Sequence, residues 1–346
     1  MAQKRIFISD VHLGAGKFAS SHYKNDWDWL SVDETQNFVS FLNHLETQQK
    51  DQIKEIVLLG DIFDNWICPH DIRPPSIDEI INAEKNTAVK DALLSLSSAI
   101  KVLYLPGNHD MHATKNVIKN NFPDIIYCPQ QYTSGRIHAE HGHRYALFNS
   151  PPFYSDHYHG LPLGYFIARM EATRKAATGD GNRNYKTYVD DALEVFGKST
   201  LSQCVFEAVQ EESNLADNVQ FVMNENFLPL PASDVKERYR NIYEDWPNRV
   251  VSKPRAVFAE LDMLGPIADR LCKMNGYKVC IFGHSHHAEV DRNTWFVEDR
   301  IYANSGYWCG SDCTFIEVEK ENEKYTVHLN QWKNQQIESI TSTSVE

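Results

Sequence analysis

Three features that would mark other classes of protein are missing from this sequence. Its 346 residues contain no run of about 18 apolar residues, the minimum for a transmembrane helix, so we predict no membrane-spanning segment. The seven cysteines form no C-x-x-C pair. The N-terminal residues run directly into a first strand, which leaves no room for a signal peptide. We therefore expect reduced thiols and a cytoplasmic location.

A basic surface is missing as well. The formal net charge is −13, whereas a protein whose main partner is a long nucleic acid usually presents a stripe of Lys and Arg. We therefore do not expect nucleic acid as a partner. Hydrophobic residues make up 42% of the chain, enough for one large domain with an insertion or for two small domains. The sequence does not indicate which oligomeric state the protein has.

What the chain does contain is five short segments that carry aspartate and histidine. Any one of them alone would be weak evidence of a functional site, because Gly, Asn and Asp also form ordinary turns. Four of the five follow runs typical of buried strands, and residues at the carboxyl ends of strands converge on a crevice in an open α/β sheet. The segments are Asp10-Val11-His12, Gly60-Asp61-Ile62-Phe63-Asp64, Gly107-Asn108-His109-Asp110, His141-Gly142-His143 and Gly283-His284-Ser285-His286.

The residue types in these segments are those that bind divalent cations. Carboxylate oxygen and neutral imidazole nitrogen are ligands for hard or borderline metals. Asp10 and His12 are two apart, so on a strand both would point to the same side, and His284 and His286 repeat this spacing. A buried carboxylate such as Asp61 is costly without a partner. Two cations that share one carboxylate would satisfy that requirement.

Together the five segments resemble the signature of the calcineurin-like metallophosphoesterase superfamily, which is D-x-H, G-D-x-x-D, G-N-H-[DE], H-G-[HD] and G-H-x-H. The resemblance covers roughly residues 4–145 and 277–331. It implies that His109 is a general acid or stabilises the transition state, and that Asp64 orients His109. It also implies two metal sites, one formed by Asp10, His12, Asp61 and His286 and the other by Asp61, Asn108, His141 and His284.

The resemblance further implies the cofactors and the reaction. We expect two divalent metal ions, Mn²⁺ first, with Fe, Zn, Mg or Ni suited to the same ligands. A metal-activated water would hydrolyse a phosphomonoester, phosphodiester or pyrophosphate bond in a small-molecule or lipid-linked phosphate substrate. One alternative is a nuclease of the same superfamily, which salt-sensitive DNA binding would distinguish. Another is a non-catalytic scaffold, which loss of His109 or of ligands would mark.

The predicted fold class is α/β, with two packed mixed β-sheets flanked by helices in the four-layer sandwich that the resemblance implies, and a helical cap insertion. Capping boxes at Ser31/Glu34 and Ser76/Glu79 predict two helix starts, the second helix running to about Ser97. Predicted strands are Arg5–Ser9, Ile56–Leu59, Val102–Leu105, Ile137–Glu140, Lys278–Phe282, Trp295–Ala303, Thr314–Val318 and Tyr325–Leu329.

Helical signals dominate between the fourth and fifth segments. This stretch is too long for an ordinary loop. We predict a metallophosphoesterase core of residues 1–145 and 276–346 and a helical cap of residues 146–275. The alternative is a packing subdomain remote from the site. Helices are expected within Tyr185–Glu212, Asp234–Tyr243 and Ala256–Met274.

The segment after the fourth motif is the predicted substrate contact. The chain leaves the metal site there, so we expect Asn149, His157 and His159 near the substrate; the alternative is a well-packed linker. Enzymes that hydrolyse the pyrophosphate of UDP-diacylglucosamine also carry a helical insertion at this place, and residues 302–308 resemble that branch. That branch, however, has arginine where this chain has His109, and its insertion is much shorter.

Overall fold

Residues 4–16, 22–151, 160–179, 201–224, 227–247, 251–293 and 299–346 are described by a computed structural model. Across these residues the backbone forms a seven-stranded sheet, a five-stranded sheet and a small two-stranded sheet. Helices flank the two large sheets, both of which are mixed, so the predicted α/β class is confirmed. Within the described ranges, no helix combines the length and the apolar character needed to cross a bilayer.

The described elements alternate between strand and helix at first, are mainly helical in the middle and are mainly strands at the end. The strands are β1 (Lys4–Ile8), β2 (Ile53–Leu59), β3 (Val102–Leu105), β4 (Ile126–Tyr127), β5 (Tyr132–Ser134), β6 (Ile137–Ala139), β7 (Gln220–Phe221), β8 (Leu230–Pro231), β9 (Val279–Phe282), β10 (Glu289–Asn293), β11 (Arg300–Asn304), β12 (Thr314–Glu321), β13 (Lys324–Lys333) and β14 (Gln336–Val345). The α-helices are α1 (Val32–His44), α2 (Ile77–Ile81), α3 (Thr87–Ala99), α4 (Lys115–Asn121), α5 (Leu163–Thr178), α6 (Leu201–Glu212), α7 (Ala232–Arg238), α8 (Ile242–Asp245), α9 (Lys253–Glu260) and α10 (Gly265–Asn275).

The seven-stranded sheet brings the first three motifs to one edge. Its order is β14-β13-β12-β1-β2-β3-β4, and β1 to β4 run parallel to one another. The first three strands are mostly buried, and each ends in an apolar run, as expected for parallel strands covered on both faces. Because parallel strands end at the same edge, the loops that carry Asp10, Asp61 and Asn108 are neighbours.

The five-stranded sheet supplies the other two motifs. Its order is β10-β11-β9-β6-β5, with β6, β9 and β11 parallel. His141 follows β6 and His284 follows β9. The two large sheets share one apolar cluster, in which Phe7 and Val57 of the first sheet join Ile281 of the second. This packing places the motif-bearing loops of the two sheets in one region.

The helix that begins at Ser76 ends earlier than predicted. Both predicted capping boxes are present, but a single helix to Ser97 is wrong, because α2 ends at Ile81 and α3 begins at Thr87. The Asn86 side chain donates to the carbonyls of Ile80 and Gly14, both at 2.8 Å. The break therefore fastens this region to the loop that follows the first motif.

The helices of the middle region are also shorter than predicted. The expected helix Ala256–Met274 is two helices, α9 and α10, separated by a turn in which Asp262 has a φ of 67°. Pro266, in the first turn of α10, has no N–H to donate and so begins a helix rather than continuing one. The expected helix Asp234–Tyr243 is likewise divided between α7 and α8.

Other predicted elements lie partly outside the described residues. Of Tyr185–Glu212, the structure describes α6 from Leu201 onwards, and of Trp295–Ala303 it describes β11 from Arg300. Helix α5 and strand β14 were not predicted. The seven cysteines, all of them described, are free thiols, as expected.

Arg169 joins α5 to the loop after the second motif. It is fully buried. Its guanidinium donates to the carbonyl oxygens of Cys68, Pro69 and Ile72 at 2.7, 2.7 and 2.6 Å. The same group also reaches the carbonyl of Val222 at 3.0 Å. A guanidinium has five N–H donors in a fixed plane, so one side chain satisfies several carbonyls of a buried loop.

Replacing Arg169 by Ala should lower the free energy of unfolding by at least about 3 kcal/mol, because several buried carbonyls would each lose a donor at about 1–3 kcal/mol. Arg174→Ala on the same helix is the matched control. Arg174 pairs with Glu212 at 3.7 Å, and such a loose pair contributes under about 1 kcal/mol. Urea unfolding of metal-free protein measures both, and equal losses would contradict this role for Arg169.

Candidate metal centre

Five of the predicted ligands have the left-handed backbone conformation. Their φ angles are 54° for Asp10, 53° for His12, 53° for Asp61, 70° for His284 and 58° for His286. Non-glycine residues rarely adopt this region. It costs about 1–3 kcal/mol at each position and persists only where the surroundings impose it. The same unfavourable conformation in three motif loops marks the region where these loops meet as a candidate functional site.

This conformation corrects one expectation. Asp10 and His12 were expected to share a side because of strand geometry, but β1 ends at Ile8. Their loop is instead held by the second motif, since the backbone N–H groups of Val11 and His12 both donate to the carbonyl of Asp61 at 2.9 Å. The two side chains meet because of this hydrogen-bonded loop.

The first cluster consists of Asp10, His12 and His286. The Nε2 atoms of His12 and His286 lie 3.0 Å apart, and Oδ1 of Asp10 lies 3.2 Å from Nε2 of His286. The Nδ1 atom of His12 lies 2.8 Å from Oδ2 of Asp64. If Nδ1 carries the proton of neutral His12, its Nε2 presents a lone pair to the cluster.

The second cluster consists of Asp61, His141 and His284, with Asn108 beside them. The Nε2 atom of His141 lies 3.1 Å from Oδ2 of Asp61 and 3.1 Å from Oδ1 of Asn108. Its Nδ1 lies 2.9 Å from the carbonyl oxygen of Leu59. Because that carbonyl can only accept, Nδ1 must carry a proton. In the neutral ring Nε2 then carries a lone pair, which faces two oxygens.

Both clusters fit divalent cations. Donor atoms about 2.1 Å from one cation lie about 3.0–3.4 Å apart, which matches the separations of 3.0–3.2 Å just described. Acceptor atoms that face one another at such distances need a positive charge between them. Burial lowers the pKa of His141, but Asp61 and Asp10 raise it to about 10. A bound metal ion would supply the positive charge that these carboxylates require.

The carboxylates of this region are held ionised against burial. Burial raises the pKa of Asp61, yet the nearby imidazoles of His141 and His109 hold it well below its usual range. Burial likewise raises the pKa of Asp10, and His141 and His286 lower it to below the ordinary value. Both side chains are buried. They are therefore charged groups in a dry site, which must be paired or bound to metal.

Two motif glycines are required by close approach. Gly60 has a φ of 89°, and a Cβ atom there would lie 2.6 Å from Nδ1 of His141. A Cβ atom on Gly107 would lie 2.2 Å from Oδ1 of Asp61. The glycine before each motif aspartate or asparagine therefore leaves space for a ligand that comes from a neighbouring loop.

Asp110 organises the second and third motifs, a role that was not predicted from the sequence. Its Oδ1 accepts from the backbone N–H of Asp61 at 3.1 Å and of Gly107 at 2.6 Å. Its Oδ2 accepts from the backbone N–H of Ile62 at 3.0 Å and from the hydroxyl of Tyr104 at 2.7 Å. The last residue of G-N-H-D thus fixes the turn that carries Asp61. The sequence offered one signal of this role, namely that Asp110 follows Gly107 by only three residues, close enough to accept from its N–H.

The Asp64 carboxylate lies between two histidines. Its Oδ1 lies 3.0 Å from Nδ1 of His109, off the line of a well-aligned hydrogen bond, and its Oδ2 contacts His12. Backbone N–H groups of Trp66 and Ile67 donate to Oδ1 at 2.9 and 3.0 Å. Burial lowers the pKa of His109, but Asp64 and Asp61 raise it above its ordinary value. The structure therefore brings Asp64 and His109 together.

Aromatic rings surround these histidines and were missed in the sequence. Trp66 stacks on His109 with ring centroids 4.4 Å apart. Trp29 lies 4.6 Å from His12 and 5.4 Å from His109, and Tyr307 stacks on His286 at 5.4 Å. Trp66 also contacts Tyr165 of α5 at 5.9 Å. Helix α5 is thereby in contact with a ring that stacks on His109.

Of the three predicted substrate contacts, the structure describes Asn149. Asn149 is buried, and its Oδ1 accepts from Nδ2 of Asn108 at 3.3 Å. His157 and His159 lie outside the described residues. His143 is buried, with its ring 5.4 Å from that of His141.

A cleft borders the insertion next to the second and third motifs. Its volume is about 180 Å³. Core residues Asn65 and His112, which follow these motifs closely in sequence, line one part of it, and Tyr165 and Met223 of the insertion line another.

The family of the chain is shown by comparison with known proteins. The model of the calcineurin-like phosphoesterase family matches residues 4–288. The chain therefore belongs to the calcineurin-like phosphoesterase family. A comparison with curated proteins gave no match.

Solved structures with similar folds are distant in sequence. A dimetal phosphatase from Danio rerio is 10% identical, with 98% of each chain covered and a TM-score of 0.41. Vps29 from Chaetomium thermophilum is 10% identical, with 99% of this chain and 96% of that chain covered and a TM-score of 0.38. A conserved protein from Streptococcus pneumoniae TIGR4, described as a predicted phosphoesterase, is 11% identical, with 100% of this chain and 98% of that chain covered and a TM-score of 0.35.

Gly107→Ala should weaken Mn²⁺ binding to metal-free protein by at least about tenfold, the lower end of the effect of disturbing groups around a metal site. The added methyl must displace Asp61. Gly265→Ala is the matched control, because its Cβ atom would meet Tyr302 at an ordinary 3.4 Å. Isothermal titration calorimetry measures both variants, and wild-type affinity in Gly107→Ala would show that Asp61 is not held by this contact.

Proposed function

We propose that this protein is a dinuclear metal-dependent phosphoesterase that hydrolyses a phosphomonoester, phosphodiester or pyrophosphate bond with a metal-activated water. The observation that carries the proposal is the pair of largely buried clusters, in which acceptor atoms face one another at 3.0–3.2 Å. One ion would be held by Asp10, His12, Asp61 and His286. The other would be held by Asp61, Asn108, His141 and His284.

When bound, two divalent cations supply charge neutralisation of phosphate oxygens and lower the pKa of a water enough for in-line attack on phosphorus. The chain's own contribution is orientation and proton transfer. Asp64 contacts Nδ1 of His109, which leaves Nε2 as the atom that can donate a proton to the leaving oxygen or stabilise its charge. Trp66 holds the ring of His109 by stacking on it.

Residues 146–275 would act as a cap beside the metal centre. Two contacts support this placement over a remote packing subdomain, namely Asn149 against Asn108 and Tyr165 against Trp66. The cleft between the core and the insertion would receive the part of the substrate beyond the phosphate. We do not assign hydrolysis of UDP-diacylglucosamine, because His109 stands where that branch has arginine. We expect Mn²⁺ as the activating ion and a cytoplasmic location.

The test is hydrolysis by metal-free protein before and after addition of Mn²⁺, with a nitrophenyl phosphomonoester, a bis-nitrophenyl phosphodiester and a nucleoside diphosphate ester as substrates. Activity toward at least one substrate should require the added metal. Asp61→Ala should be inactive and should retain neither ion, because a shared carboxylate is lost. The control is Asp124→Ala, because Asp124 is exposed. Two tightly held ions in Asp61→Ala, or no hydrolysis of any substrate by wild-type protein, would contradict the proposal.

His109→Ala should bind Mn²⁺ as wild type does and lose turnover by about 10²–10⁴-fold on substrates with poor leaving groups, the effect of removing an acid–base group. The loss should be smaller for nitrophenolate, which departs with little protonation. The kcat for an alkyl and a nitrophenyl ester of the same phosphate measures this difference. Equal losses would assign His109 to charge stabilisation.

A further inference from the structure

Asn108 can serve as a metal ligand in only one of its two amide orientations. Its oxygen can bind a cation, whereas its NH₂ group is a donor that repels one. The two orientations have nearly the same shape, so packing alone does not choose between them. In the structure Oδ1 of Asn108 lies 3.1 Å from Nε2 of His141. A neighbouring group must therefore hold the NH₂ group away from the centre.

That neighbour is Asn149. The Nδ2 atom of Asn108 donates to Oδ1 of Asn149 at 3.3 Å. Asn149 is itself an amide, however, and could equally present its NH₂ group to Asn108. The orientation of Asn149 must in turn be set by another residue.

Glu260 of α9 supplies the fixed end of this chain of contacts. It is 1% exposed, and its Oε2 accepts from Nδ2 of Asn149 at 3.0 Å. Its Oε1 accepts from the backbone N–H of Asn149 at 3.2 Å and also from the backbone N–H of Phe148. An ionised carboxylate has no proton to donate. Asn149 must therefore turn its NH₂ group toward Glu260 and its oxygen toward Asn108.

We propose that Glu260 and Asn149 are positioning residues that set the amide orientation of Asn108, and through it the affinity of the site formed with Asp61, His141 and His284 for its cation. The inference rests on the proposed function, in which Asn108 is a metal ligand. It gives the insertion a second task besides covering the site. A residue in the last turn of α9, 152 positions beyond Asn108 in the sequence, determines which atom Asn108 offers.

Glu260→Gln tests the polarity of this arrangement without changing its shape. The single oxygen of Gln must occupy the Oε1 position, because two backbone N–H groups point there. Its NH₂ group then faces the NH₂ group of Asn149. Relief of this donor–donor contact turns both asparagines over and presents Nδ2 of Asn108 to the cation.

Adding Asn149→Asp to Glu260→Gln should restore the original polarity. The NH₂ group of Gln would donate to one oxygen of Asp, and the other oxygen would accept from Nδ2 of Asn108. The total charge is the same as in the wild type, since the carboxylate has moved by one residue. Glu55→Gln is the matched control, because Glu55 is a buried carboxylate that pairs instead with Arg5 and Lys101.

Calorimetric titration of metal-free protein with Mn²⁺ should give two ions per chain for the wild type and for Glu55→Gln. In Glu260→Gln one of the two dissociation constants should rise by about 10–100-fold, as for other residues that orient metal ligands. The double variant should return to within a few-fold of wild type. Near-ultraviolet circular dichroism of the metal-free variants establishes that each is folded.

The outcomes separate this inference from the proposed function. Wild-type protein that binds no Mn²⁺ would overturn both. Two ions in the wild type with unchanged constants in Glu260→Gln would overturn the inference alone. A double variant as weak as folded Glu260→Gln would also overturn it, because a purely structural defect is not repaired by moving the charge.

Discussion

The structure depends on the burial of two carboxylates, Asp10 and Asp61, among imidazole groups. Each is charged where water is excluded, and such a charge persists only if opposite charge is brought to it. The charged groups come from both sheets. The first sheet provides the aspartates, and the second provides His141 and the loop with His286. Two sheets must therefore pack with their motif edges aligned for either carboxylate to be tolerated, and the apolar cluster shared by the sheets sets that alignment.

The need to pair these buried carboxylates also accounts for the strained turns. Left-handed backbone at Asp10, Asp61 and His284 costs free energy, and specific contacts offset that cost. Asp110 gathers backbone N–H groups around the turn of Asp61, and the N–H of His284 donates to Oδ2 of Asp10 at 3.0 Å. The carboxylates thus stabilise the loops that present them, which makes the loop conformations and the charges mutually dependent. A cation bound in each cluster would stabilise both the loops and the charges.

Much of this architecture could be predicted from the sequence because it depends on local patterns. Strand β3 was predicted with its observed bounds, since a short apolar run before a glycine gives a clear signal, and the capping boxes at Ser31 and Ser76 gave two helix starts. Strand β14 was missed because its residues are mostly exposed Ser, Thr and Glu, and it exists through pairing with β13. Trp29 and Trp66 were missed for a related reason. Trp66 follows the second motif by two residues, but only folding shows that the two rings lie against His12 and His109.

The insertion belongs to the metal centre more closely than its place in the sequence suggests. A loop that only covered a site could vary in structure without affecting the ligands beneath it. Here α5 reaches His109 through Tyr165 and Trp66, Arg169 fixes the loop after the second motif, and α9 reaches Asn108 through Glu260 and Asn149. Any movement of these helices would therefore alter both Asn108, the proposed metal ligand, and His109, the proposed proton donor. Under the proposed function, a substrate that shifts α5 or α9 would change the proposed metal coordination and the proposed acid catalysis at the same time.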